Sequence, residues 1–152
     1  MGAIYTTGRG AHTLSTSNDS ITIDVPAGRF FYLHRAKIVG MANALAAGAE
    51  IGIYRVATVG SAGTPTELNW RNIDPNGAAP PSGFTARFGY TTQPVLGDLL
   101  KRLYVQPAGG KDEWIAMPGG ALAFWLSTAY QVSIRGISGT PSIAIDLEGE
   151  LL

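Results

Sequence analysis

The chain has no cysteine. No disulfide can staple it, and thiol catalysis and thiolate metal sites are excluded. Charge is sparse: 14% of residues are ionic, and eleven basic side chains balance eleven acidic ones. A protein that grips a phosphate backbone shows a basic excess, so nucleic acid is not the expected partner. Sparse charge is also unusual for a solitary domain, because charged surfaces hold molecules apart. It suits a surface that partners cover. Long apolar runs are missing as well. The longest, such as Ala121–Leu126, fall far short of a bilayer span, and Met1–Arg9 has no leader pattern, so no membrane role is expected.

Histidine is limited to His12 and His34. A triad base has few places to come from, and there is no Gly-x-Ser-x-Gly elbow. No His-x-x-x-His pair and no carboxylate loop of cation-binding spacing occurs. Gly8-Arg-Gly10 precedes no helix and makes no phosphate cradle. Asp146, Glu148 and Glu150 share one face of the final strand, as a solvated row rather than a metal site. No metal or cofactor is expected.

What is present is alternation. Asp19–Val25, Glu50–Arg55, Tyr130–Arg135 and Ser142–Glu148 each switch between apolar and polar residues with a period of two. That period sends one set of side chains into a core and the other into water, and a sheet with one wet face is typically antiparallel. Arg29–Val39 is rich in strand formers, but its apolar phase changes: Phe31 and Leu33 share one face, Ala36 and Ile38 the other. A bulge near His34-Arg35 accounts for the switch. Met41–Ala49 is alanine-rich yet bounded by Gly40 and interrupted by Gly48, and reads as a loop with at most one helical turn. Thr58–Ser82 is a long turn-rich tract with a short strand at Glu67–Trp70. Phe84–Tyr90, Leu99–Val105, Trp114–Met117 and Ala121–Ser127 complete the strand candidates, with a turn at 107–110. Trp125 lies opposite Leu122, Phe124 and Leu126, which suggests a strand dry on both faces. The short loop Ser138–Pro141 suggests that the last two strands form a hairpin.

Eight to ten strands without a helix define an all-β chain. Sandwich, jelly roll and small barrel all remain open, and the long loops favour an antiparallel β-sandwich of jelly-roll type. Residues 1–18, polar and small, read as an extended N-terminal arm in which Ala3–Thr7 has the pattern of a short strand; residues 19–152 read as one sandwich domain.

Ser20–Val25 followed by Pro-Ala-Gly, the long Phe30–Val39 strand, Ile51–Arg55 before a Gly/Thr/Pro loop, and the closing Ile143–Glu148 strand together resemble the β-rich head decoration, or cement, proteins of tailed bacteriophages. The resemblance implies a virion structural protein without enzymatic activity, located on the capsid surface. It implies a homotrimer that clamps the major capsid protein. Contacts are expected from the arm and from the 58–82 tract, with Tyr5, Arg9, His12, Arg35, Lys37, Trp70 and Arg71 as candidate interface residues. Loss of residues 1–14 is expected to abolish shell binding and leave the body folded. A carbohydrate- or receptor-binding jelly-roll module is the alternative, and would need an exposed aromatic platform. A glycosidase using Asp112 and Glu113 beside Trp114 comes third.

Overall fold

Alternating apolar residues drive the chain into strands that cover one another. In the computed structural model, which describes residues 2–41, 48–106 and 110–152, twelve strands form two antiparallel sheets. The first contains β1 (Ala3–Thr13), β3 (Phe30–Gly40), β6 (Arg71–Asn72), β9 (Lys111–Ile115), β10 (Leu122–Trp125) and β12 (Ser142–Leu151). Its order is β10-β3-β12-β1-β6, with β9 also on β3. The second contains β2 (Asp19–Val25), β4 (Ala49–Thr58), β5 (Thr66–Leu68), β7 (Thr85–Phe88), β8 (Val95–Val105) and β11 (Tyr130–Ser138), in the order β5-β7-β2-β11-β4-β8. The architecture is an all-β antiparallel sandwich.

The core lies between the sheets. Phe31, Leu33, Ala36 and Ile38 of β3 and Ile143, Ile145 and Leu147 of β12 meet Ile21, Ile23, Ile51, Ile53, Val132 and Ile134. Each large aliphatic side chain buried this way contributes about 1.5–3 kcal/mol. The phase switch in β3 is a bulge at His34: Glu148 pairs with Arg35 and the next residue, Gly149, pairs with Leu33. The extra residue turns Ala36 and Ile38 inward again. A Cβ on Gly149 would run into the Phe31 ring, so this close approach requires glycine. At one end of the sandwich Tyr5, Phe31, Trp70, Phe84 and Phe124 form an aromatic cluster. Trp70 stacks on Phe84 with ring centres 4.7 Å apart.

Four expectations change. First, Ala3–Thr13 is no free arm. It is a strand seated between β12 and β6, because its alternate residues Tyr5 and Thr7 are inward and buried. Second, β11 and β12 are not a hairpin. Each already has a partner on both sides, β2 and β4 for β11, β1 and β3 for β12. Their apolar faces oppose each other across the core instead of lying side by side. Third, the polar face of β11 is not wet. Gln131, Ser133 and Arg135 are buried beneath the loops around Gly60 and Gln93–Pro94. Gly60 N donates to Gln131 Oε1 at 2.6 Å, and Arg135 Nη2 donates to the Pro94 carbonyl at 2.8 Å. Fourth, β10 is an edge strand, with Phe124 buried and Trp125 and Leu126 half exposed. The Met41–Ala49 reading and the 107–110 turn fall mostly on residues 42–47 and 107–109, outside the described residues.

Candidate interaction surface

Loops cover the outer face of β2 and β11, whereas the outer face of the first sheet is open. Pairing register places its side chains in rows. One row runs Ile115, Arg35, Glu148, Thr6 and Arg71 from β9 to β6. The next runs Glu113, Lys37, Asp146 and Gly8. Arg35 Nη1 donates to Glu148 Oε1 at 2.6 Å, and its Nε donates to Glu113. These bonds, that to Glu148 foremost, raise the guanidinium above its ordinary value. On this face the acidic side chains offset the basic ones.

Toward the other end of the sheet the surface becomes apolar. Trp125 of β10 lies opposite Phe30 of β3, and Leu152 hydrogen-bonds with Phe30 through both backbone groups. One row further in, Tyr32 pairs with Glu150, Glu150 with Ile4, and the Ile4 carbonyl accepts from Ile73 N. The rings form a ladder: Trp125 to Phe30 is 5.7 Å between centres, and Phe30 to Tyr32 is 6.1 Å. Ile4, Phe30, Ile73, Trp125 and Leu152 are all exposed.

Beside Trp125, at the open end of the sandwich, lies a cleft of about 480 Å³. Its floor is Phe124, Tyr130 and Gln131; its rim carries Arg55 of β4, Asp98 of β8 and Trp125. The Tyr130 hydroxyl donates to the Phe124 carbonyl at 2.8 Å, and burial pushes it up to about 12. Gln131 is occupied by Gly60 and Asp24. The side chains of Arg55 and Asp98 have no hydrogen bond or ion pair among the described residues, and both residues are exposed.

The seven residues named from the sequence separate. Arg35, Lys37 and Arg71 come together on the outer face of the first sheet. Tyr5 and Trp70 do not reach a surface: they are 3% and 6% exposed, and a ring spent on the core cannot anchor a partner. The Trp70 indole N–H is buried with no acceptor among the described residues. Arg9 and His12 face the gap between the sheets. Arg9 Nη1 donates to the Ser20 carbonyl at 2.8 Å and lies 3.7 Å over the Phe88 ring. His12 Nε2 contacts Ser20 Oγ at 3.0 Å; burial, with the charge of Arg9, lowers its ring below the ordinary value against the opposing bond that Nδ1 donates to the Gly10 carbonyl. These two tie β1 to β2. Asp112 Oδ2 accepts from Tyr104 N at 2.8 Å while Glu113 pairs with Arg35, so the two carboxylates serve different partners.

Phe30, Tyr32, Asp98 and Trp125 escaped the sequence reading as surface groups. Phe30 and Tyr32 were visible as the opposite parity to Phe31 and Leu33. Asp98 carries no local signal, because the cleft joins strands distant in sequence. Comparison with known families, curated proteins and solved structures finds no match.

Proposed function

We propose that the chain is a virion structural protein: a capsid decoration protein that acts as a homotrimer and stabilises the major capsid protein shell from outside. The strand order carries this reading. We read β1-β12-β3 with β9 and β10, facing β2-β11-β4-β8, as a jelly roll in which β5, β6 and β7 are an insertion that widens both sheets. That plan recurs in viral capsid and lectin domains.

Two features support it. Charged residues, at 14% of the chain, are few for a surface that stays wet. The two segments expected to make contacts also converge, since Ile73 N bonds to the Ile4 carbonyl and both side chains are exposed. The contact surface is therefore the β1–β6 rim of the first sheet, with Arg71 at its side, rather than a reaching arm.

Shells stripped of the protein and then incubated with it provide the test. Purified protein should have a native mass of three times 15.9 kDa and should co-sediment with shells. Ile4→Ser combined with Ile73→Ser, both at exposed sites and without a new charge opposite Glu150, should leave a cooperative melt and weaken shell binding by about tenfold or more. A protein that stays monomeric at high concentration and leaves shells bare removes the proposal.

A further inference from the structure

We propose that the cleft between β4, β8 and β10 is a binding site for a neutral saccharide. In this assignment Trp125 supplies a stacking wall, and Asp98 and Arg55 supply the hydroxyl contacts. The site is concave, of about 480 Å³, within the roughly 300–1,000 Å³ range of small-ligand pockets. It also has the composition of such pockets, with aromatic rings in the floor beside Gln131 and a few polar groups at the rim.

The chemistry of the lining selects the ligand class. Phe30 stacks against the Trp125 indole, and the cleft is bordered by Trp125 without Phe30. In this assignment the side of the indole turned from Phe30 is the one offered to the cleft, and the residue is 49% exposed. An exposed indole backed by a second ring is rigid, so little side-chain freedom is lost when a ligand covers it. A pyranose presents an apolar C–H face that suits this wall. Its hydroxyls both donate and accept. Asp98 accepts only and Arg55 donates only, and neither has a partner to give up among the described residues.

Other ligands fit less well. An anion meets Asp98, a cation meets Arg55, and a polynucleotide needs a basic track that one opposed arginine does not make. An aliphatic chain would desolvate both charges without pairing them. A second copy of this chain needs a broad complementary patch, whereas the polar pair stands at the rim of a narrow concave cleft.

The experiment follows the three indole N–H resonances in two-dimensional NMR while maltose, cellobiose, lactose, chitobiose and mannobiose are added separately. Each is taken to roughly 10 mM, tenfold above a 1 mM Kd. At least one disaccharide should shift the Trp125 signal saturably and leave that of core Trp70 in place. Trp125→Phe assigns the signal. Trp125→Ala, followed through the Gly97 and Leu126 amides, should abolish the response, and Asp98→Asn should weaken it about tenfold. The Asp98→Asn melt should match the parent, since Asp98 is exposed, and Trp125→Ala, which gives up the stack on Phe30, should still melt cooperatively. Silence with all five sugars overturns the assignment. So does undiminished binding by Trp125→Ala, or a Trp125 signal that moves with protein concentration and not with sugar, which would mark a subunit contact. The site does not rest on the shell reading: sugar binding without shell occupancy would overturn that reading alone.

Discussion

Arg135 is the most consequential single side chain outside the apolar core. Its Nε donates to Asp19 Oδ1 at 2.6 Å, and the same carboxylate accepts from Ser133 Oγ and Thr22 Oγ1. Burial raises the Asp19 carboxyl above its ordinary value although these bonds and Arg135 pull it down. Removing one partner of a buried pair strands the other. Arg135→Met should cost about 3–5 kcal/mol in urea denaturation, because Asp19 is 4% exposed and cannot turn to water. Tyr130 offers a pH test. Its folded-state value of about 12 lies above the ordinary value near 10. The stabilisation linked to the neutral phenol is therefore complete below pH 10 and lost as pH rises toward about 12. Tyr90 is raised too, by burial and by Asp24, so the wild-type melting temperature falls through both. Tyr130→Phe isolates one of them. It should melt lower at neutral pH, for want of the bond to the Phe124 carbonyl, and should lose less between pH 10 and 12. Equal slopes for the two proteins would remove Tyr130 from the effect.

At the scale of the element, β1 decides most. It covers one edge of β12 along nine paired residues from Ala3 to Thr13 and places Tyr5 against Phe84. Deleting residues 1–14 should therefore abolish the cooperative melt, where the sequence reading expected a surviving body. The truncated chain would expose the apolar β12 edge and should aggregate, as unpaired edges do. A sharp melt by circular dichroism after the deletion would show that β1 is dispensable. The sequence hid this because Thr, Gly, Arg and His in the segment read as polar and unpaired. Ala3–Thr7, with Tyr5 and Thr7 on one side, has the pattern of a short strand, but the alternation beyond it is too weakly apolar to carry that strand on to Thr13. The bulge in β3 was legible for the opposite reason: Phe31, Leu33, Ala36 and Ile38 are strongly apolar, and a three-residue step between Leu33 and Ala36 has one simple explanation. The interface residues fared less evenly. Arg35, Lys37 and Arg71 share a surface, whereas the aromatic character that suggested Tyr5 and Trp70 as anchors is what drew them into the core.

For the whole molecule, the consequence of the strand order is kinetic. No two strands that follow each other in sequence pair with each other among the described residues. Every ladder must close a loop before it gains anything, and such non-local topologies fold slowly. Refolding from urea should proceed on roughly a millisecond-to-second scale or slower. A microsecond phase carrying the full amplitude in stopped-flow or temperature-jump fluorescence would contradict the topology. The same connectivity builds the cleft. Arg55, Asp98 and Trp125 come from three strands far apart in the chain and meet where the two sheets open.

The sequence by itself determined the all-β class, the inward faces of β2, β3, β4 and β12, and the place of the bulge, because alternation along one strand is a local property set by the side chains of that strand. The tertiary structure alone decided which strands are neighbours, that β1 belongs to a sheet, that the polar face of β11 is roofed, and which aromatic rings stay outside. Those outcomes depend on what lies on the far side of each strand. A single strand's pattern says that one face must be covered and is silent about what covers it.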